Sequence, residues 1–205
     1  MHPTPTKTTI AVLPFVNMSA SQENEYFSDG ITEEIINALA KIEGLKVTSR
    51  TSAFYFKGKN LPIAEIGAAL GVSTILEGSV RLAGQMMRIT AQLIDVAEDF
   101  HFWSETWDRK LDDIFAVQDE VSLLIADKLR EHIGHFELQE HLVAQQDWSV
   151  EAHQLFLRGR QVFNKWNPED AFRAVGYYEQ ALKLAPNHAE AMVGLADAYS
   201  FLGTV

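Results

Sequence analysis

Two kinds of apolar pattern meet in this chain, and the change between them near residue 150 constrains its fold more than any other feature. Before that point short apolar runs alternate with helix-length stripes; after it every stripe has helical spacing. Ile10-Ala11-Val12-Leu13 is a continuous apolar run, the pattern of a strand buried on both faces. Pro14 cannot donate to a ladder and ends it. Ile31, Ile35, Leu39 and Ile42 then recur at helical spacing, with Ser28 or Asp29 as the cap and Glu33 and Glu34 in the first turn. Gly44 closes this first helix, and Leu45 to Thr48 predicts a second strand. Pro62 opens a second helix carrying Ile63, Ile66 and Leu70, which Gly71 caps.

A strand meander follows. Residues 73–82 and 86–96 flank the hairpin turn Ala83-Gly84-Gln85, and 100–107 supply a third strand. Ile89, Ala91 and Leu93 alternate with Arg88, Thr90 and Gln92, so one face is apolar and the other polar. Glu77, Ser79 and Arg81 share a face on the preceding strand in the same way. A third helix carries Ile114, Val117, Val121, Leu124 and Ile133. The expected fold is therefore an α/β (α+β) domain over residues 8–135, with a mixed sheet of about five strands and three helices. Its helices lie on one side of the sheet, and the other side is left to water or a partner. Residues 136–150 form a connector, and 151–205 are all-helical.

In that last stretch Ala174, Tyr178, Ala181 and Pro186 fall at the spacing of the second helix of a tetratricopeptide repeat. Leu195, Ala196 and Tyr199 fit the first helix of the next, and Gly159 is a small contact residue in the helix before. The repeat length is ~34 residues, so the segment holds about one and a half repeats, with Asn167-Pro168 as an internal turn.

The net charge of −11 argues against a direct nucleic-acid binder, since phosphate neutralisation needs clustered Lys and Arg. There is no cysteine, which removes disulfides, thiolate metal sites and a Cys nucleophile. The first residues lack the apolar core of a signal peptide, and no apolar run approaches the roughly 20 residues that span a bilayer. No membrane contact is expected. Both ends read as cuts from a longer chain, with a cytoplasmic setting expected, or a periplasmic one if the parent carries an upstream membrane span.

Ile10-Ala11-Val12-Leu13-Pro14-Phe15, with Glu25-Tyr26-Phe27-Ser28-Asp29-Gly30-Ile31-Thr32-Glu33-Glu34, resembles the TolB amino-terminal-like domain family. Val47-Thr48-Ser49-Arg50-Thr51-Ser52-Ala53-Phe54, Phe56-Lys57-Gly58-Lys59 and Leu76-Glu77-Gly78-Ser79-Val80-Arg81 extend the likeness. So do Arg88-Ile89-Thr90-Ala91-Gln92-Leu93-Ile94-Asp95 and Trp103-Ser104-Glu105. The resemblance runs from Thr8 to about Ile133. It implies an accessory unit beside tetratricopeptide repeats, joined to an effector such as a class III adenylate cyclase, a DNA-binding regulator or a kinase. It brings no catalytic residues. Val96-Ala97-Glu98-Asp99-Phe100 departs from the family by lacking the Gly often found in that turn.

The chain has no phosphate-cradling G-x-x-x-x-G-K-[ST], no G-x-S-x-G elbow and no H-E-x-x-H pair, and catalysis by this chain is not expected. No metal and no cofactor are assigned. His132, His135 and His141, beside Glu131, Glu137 and Glu140, have ligand chemistry but read as a solvated helix end. Ser28 and Asp29 could hold an anion at a helix start, with Arg50 completing a small polar cleft at the strand ends. Trp103 and Trp107 point to one side of their strand and Phe100 and Phe102 to the other. Either the tryptophans are core, or they lie on the open face near Arg81 and Arg88 as an interaction surface. Asp108, Asp112, Asp113, Asp119 and Glu120 form an acidic patch read as helix-dipole and solubility residues.

Three functions follow as expectations. The leading one is a non-catalytic protein-interaction and regulatory module of a bacterial signalling protein, binding a protein or peptide through the repeat groove or the open sheet face. The second is a sensor for a nucleotide, metal or metabolite near Ser28, Asp29 and Arg50. The third is a part of an adenylate cyclase whose catalytic domain lies elsewhere. A homodimer is compatible with each.

Overall fold

The computed structural model describes residues 8–133 and 148–204. Two compact units emerge, the first running to Asn24 and resuming at Ile31, the second made of Glu25–Gly30 and the C-terminal helices.

The first unit is organised by β1 (Thr8–Val12), whose Ile10, Ala11 and Val12 are fully buried. A strand this apolar needs cover on both faces and neighbours on both edges. It has both neighbours, pairing in parallel with β3 (Leu45–Val47) and with β4 (Thr74–Ala83). The two-residue β2 (Val16–Asn17) continues beyond Pro14 and pairs in parallel with the far half of β4. β5 (Met86–Asp95) and β6 (Phe100–Lys110) complete the meander antiparallel, giving the order β3-β1-β4-β5-β6 with β2 beside β4. The sheet thus has six strands where about five were expected. Gly84 takes φ 60 in the β4–β5 turn, a left-handed conformation that a Cβ would strain. In the β5–β6 turn Asp99 takes that role at φ 55, and Asp95 Oδ1 accepts from the amides of Ala97 and Glu98. An aspartate that tolerates the left-handed region replaces the missing glycine.

Four α-helices belong to this part of the chain, one more than expected. α1 (Glu25–Ala40) starts six residues before Ile31, so Ser28 and Asp29 lie inside it rather than at its cap. Below Asn24 no side chain caps the helix, and Glu25 is the acidic residue of its first turn. The reason is packing: Phe27 is buried and extends the stripe of Ile31, Ile35 and Leu39 backwards, and Tyr26 is buried with the Arg158 guanidinium over its ring. The short α2 (Arg50–Phe54) begins at Ser49, whose side chain accepts from the Ser52 amide. α3 (Ile63–Leu70) ends at Gly71 in the left-handed conformation, as its sequence indicates. α4 (Ile114–Ile133) buries Ile114, Val117, Val121, Ile125 and Leu129.

Helices lie on both faces of the sheet, which corrects the one-sided arrangement expected. Leu76, Val80, Ile89, Leu93 and Trp107 are buried on one face, which α4 approaches along β6. Thr32 of α1 accepts a hydrogen bond from the Phe15 amide at 2.9 Å, and Phe15 lies over Gly78 on that same face. On the opposite face α3 packs Ile66 with Ala11, Leu13 and Ile75, and Gly67 makes room for Val96. α3 covers only the β1 end of that face. The far halves of β4, β5 and β6 continue past it.

The second unit contains α5 (Val150–Phe163), α6 (Pro168–Leu184) and α7 (Ala189–Leu202). Asn167 caps α6 by accepting from the Asp170 amide, with Pro168 at the first helical position, so the turn falls where the sequence places it. Tyr178 of α6 is buried and fits between two glycines, Gly159 of α5 and Gly194 of α7. A methyl group on either glycine would come within 2.7 Å of the ring. Gly30, in the α1 segment of this unit, makes room for Leu157 in the same way. His188 is fully buried at the start of α7, stacked on Trp148 at 3.9 Å, and its Nδ1 accepts from the Ala191 amide. His153 of α5 is also buried, and desolvation, reinforced by Arg160 and His188, pushes its pKa down to about 3. Burial likewise lowers that of His188.

Candidate functional site

The polar half of the sheet is built by alternation. Side chains at every second position of β4, β5 and β6 fall on the face that α3 leaves uncovered. Arg88 donates to both carboxylate oxygens of Asp108, at 2.6 and 2.7 Å. Thr90 and Thr106 share a hydroxyl hydrogen bond at 3.2 Å, and Gln92 donates to Glu77. Arg81 stands directly opposite Arg88 in the ladder. Only one of these two guanidinium groups has Asp108, so the end of the sheet carries an excess positive charge in a strongly acidic chain. The Arg88 hydrogen bond holds the Asp108 carboxyl below the usual carboxylate range. Arg81, Arg88, Ser104, Thr106 and Asp108 are all exposed.

Where α3 and the loop before it meet this face, a cavity of about 430 Å³ opens. Its floor carries Glu77, Ser79, Thr90 and Gln92, and Phe56 and Ile63 form part of an apolar wall. Lys57 and Lys59 stand on the loop at its edge, on either side of Gly58, which turns the chain at φ 71. Sequence reasoning missed this site. Its one signal was Phe56-Lys57-Gly58-Lys59, a basic loop around a glycine, and nothing local indicates that the loop faces Glu77 and Gln92.

The residues singled out from sequence do not form a single site. Ser28 and Asp29 are buried inside α1 and belong to the second unit. Arg50 lies in the first turn of α2, donates to Glu33 at 2.8 Å, and stacks over the Phe54 ring. Trp107 is 4% exposed and opposite Ile89, so it is a core residue. Trp103, opposite Leu93 on the same side, is half-buried. Of the proposed interaction residues, only Arg81 and Arg88 occupy the open face. Of the acidic patch, Asp108 pairs with Arg88 and Glu120 with Arg109. His132 stacks on Phe102 at 3.7 Å, while His135, Glu137, Glu140 and His141 lie outside the described residues. Among the described residues no three His, Cys, Asp or Glu side chains group as a metal site, and no helix is long and apolar enough to cross a membrane.

The first unit is thus a mixed α/β sheet domain with an open polar sheet end, and the second is helical. Residues 6–124 match the HilA/YgeH-like transcriptional regulator, second domain. The chain belongs to that family. It is also 43% identical over 192 residues to a Rhizobium meliloti (strain 1021) protein named "Putative adenylate cyclase 3". That match covers 94% of this chain and 32% of the relative, so the chain spans about a third of the relative's length. Among solved structures, TolB from Acinetobacter baumannii is similar at a TM-score of 0.44 and 19% identity, over 60% of this chain and 28% of that one. The LpoB C-terminal domain from Salmonella enterica is similar at 0.42 and 17% identity, over 53% of this chain and 87% of that one.

Proposed function

We propose that this chain is a non-catalytic interaction module that couples a partner protein to an effector elsewhere in a larger signalling protein. The observation that carries the reading is the exposed polar end of β4–β6, where Arg81 and the Arg88–Asp108 pair stand clear of the helices. Polar faces left open on one side of an antiparallel sheet are ordinary; an unbalanced arginine pair on one, in a chain of net charge −11, is a feature suited to an acidic partner surface. Membership of a regulator family and the match to a protein named as a cyclase support a regulatory setting. In this reading α5, α6 and α7 are tetratricopeptide-type helices, and the Gly159–Tyr178–Gly194 contact is the small-large-small packing such repeats use to stack. The module works by holding the effector in a partner-dependent position.

The test uses the full-length protein that carries this segment. Arg81→Glu with Thr106→Arg alters the charge of the face without touching the core. The effector's output should become insensitive to the partner while its basal level is kept, and the isolated chain should convert no ATP to cyclic AMP. Turnover by the isolated chain, or unchanged regulation in the double variant, contradicts the proposal.

A further inference from the structure

We infer that the cavity beneath the Phe56–Leu61 loop binds a small zwitterion of amino-acid type with an apolar side chain. This site adjoins the partner-facing sheet end on the same face, and the inference does not depend on that reading. At about 430 Å³ the cavity lies within the range of small-molecule sites, roughly 300–1,000 Å³. Its chemistry has three parts. Glu77 is half-buried on the floor, accepts from Gln92, and among the described residues has no cationic partner. An ionised carboxylate offers four lone-pair sites, and Gln92 uses one. The remainder suit the N–H donors of an ammonium group. Lys57 and Lys59, the latter with its Nζ over the Tyr55 ring at 2.9 Å, place positive charge on the opposite, loop side, where a carboxylate would be favoured. Between these, Phe56, Leu61 and Ile63 offer an apolar wall.

The two signs of charge together select the ligand class. A simple amine would be attracted by Glu77 and repelled by the lysines, and a simple carboxylate the reverse. A molecule carrying both charges on a short backbone satisfies each end, and its side chain buries apolar area against the wall. The electrostatic environment is thus a discriminator between an amino acid and its singly charged analogues.

The experiment titrates the chain with L-phenylalanine, phenethylamine and 3-phenylpropionate, following binding by calorimetry and by amide chemical shifts at Gly58, Ser79 and Gln92. L-Phenylalanine is expected to bind at least tenfold more tightly than either analogue and to shift those three amides. Glu77→Gln should weaken the amino acid at least tenfold. Lys57→Ala with Lys59→Ala, both on the loop, should weaken the amino acid while leaving phenethylamine unchanged or tighter. This second variant keeps the test decisive if Glu77→Gln fails to fold. The inference is overturned if millimolar amino acid shifts none of the three amides. It is equally overturned if an analogue binds as tightly as the amino acid, or if the lysine variant binds the amino acid like wild type.

Discussion

Replacing Gly159 by alanine tests a close-packed contact of the helical unit. The added methyl would lie 2.7 and 2.8 Å from Cε1 and Cδ1 of Tyr178, against the 3.4 Å or more of an ordinary contact. The ring cannot retreat, because a Cβ on Gly194 would already come within 2.6 Å of its Cζ from the other side. Forcing a group into a packed site of this kind costs about 1–3 kcal/mol. Alanine recovers about 1 kcal/mol of helix propensity, leaving a net loss of up to about 2 kcal/mol. Gly176, in the middle of α6, is the internal control, since a Cβ there meets nothing within 4 Å. Gly176→Ala should therefore stabilise by about 0.5–1 kcal/mol. Urea unfolding followed by circular dichroism, with amide exchange in α5–α7, measures both. The signs should be opposite, and Tyr178→Leu should restore part of what Gly159→Ala loses. If both glycine variants stabilise the protein equally, the ring is not clamped and the packing argument is wrong.

Other consequences are as direct. Gly78→Ala would place a methyl 2.3 Å from the Thr90 carbonyl oxygen and 2.7 Å from Phe15. Backbone cannot yield easily, so the loss should reach about 3 kcal/mol, read as a lowered unfolding midpoint. His153 has a folded pKa near 3 against an ordinary 6.5, so the unfolded chain binds its proton first. Stability is then full above pH 6.5 and falls as the pH drops, by about 2 kcal/mol at pH 5. His153→Gln should flatten that slope in a pH series of urea melts; an unchanged slope would assign the effect elsewhere. Arg88→Ala should let the Asp108 carboxyl titrate upward toward the normal range, as followed by side-chain carboxyl NMR.

How far the sequence could be read depended on the range over which each feature is specified. The alternation of Arg88, Thr90 and Gln92 with Ile89, Ala91 and Leu93 places both faces of β5 correctly, because a strand's parity is local. Gly71 and Asn167-Pro168 mark helix ends by their own backbone chemistry. The side that the tryptophans take depends on cross-strand partners, which no local pattern encodes; pairing of Trp107 with Ile89 decides it. A register shift between Leu93 and Ile94 then removes Phe102 from the regular ladder. Ser28-Asp29-Gly30 carries every local sign of a cap, yet α1 starts at Glu25. Burial of Tyr26 and Phe27 overrides those signs. α2 and β2, of five and two residues, are too short to show a period, although Ser49 followed by Ser52 signals a cap. The cavity joins a loop at 56–61 to strands at 77–79 and 90–92, a meeting that no local pattern encodes.

The central claim, that the open end of β4–β6 is a partner-facing surface, can be tested through Met86. Its side chain lies beside that surface, is 47% exposed, and lines a small hollow with Arg81, Arg88 and Asp108. Met18 and Met192, 60% and 46% exposed, are internal references elsewhere. Hydroxyl-radical oxidation should be compared between the isolated chain and the full-length protein with its partner. The account predicts selective protection of Met86 in the assembled protein, with Met18 still reactive. Met86 oxidising at the same rate in both would contradict it.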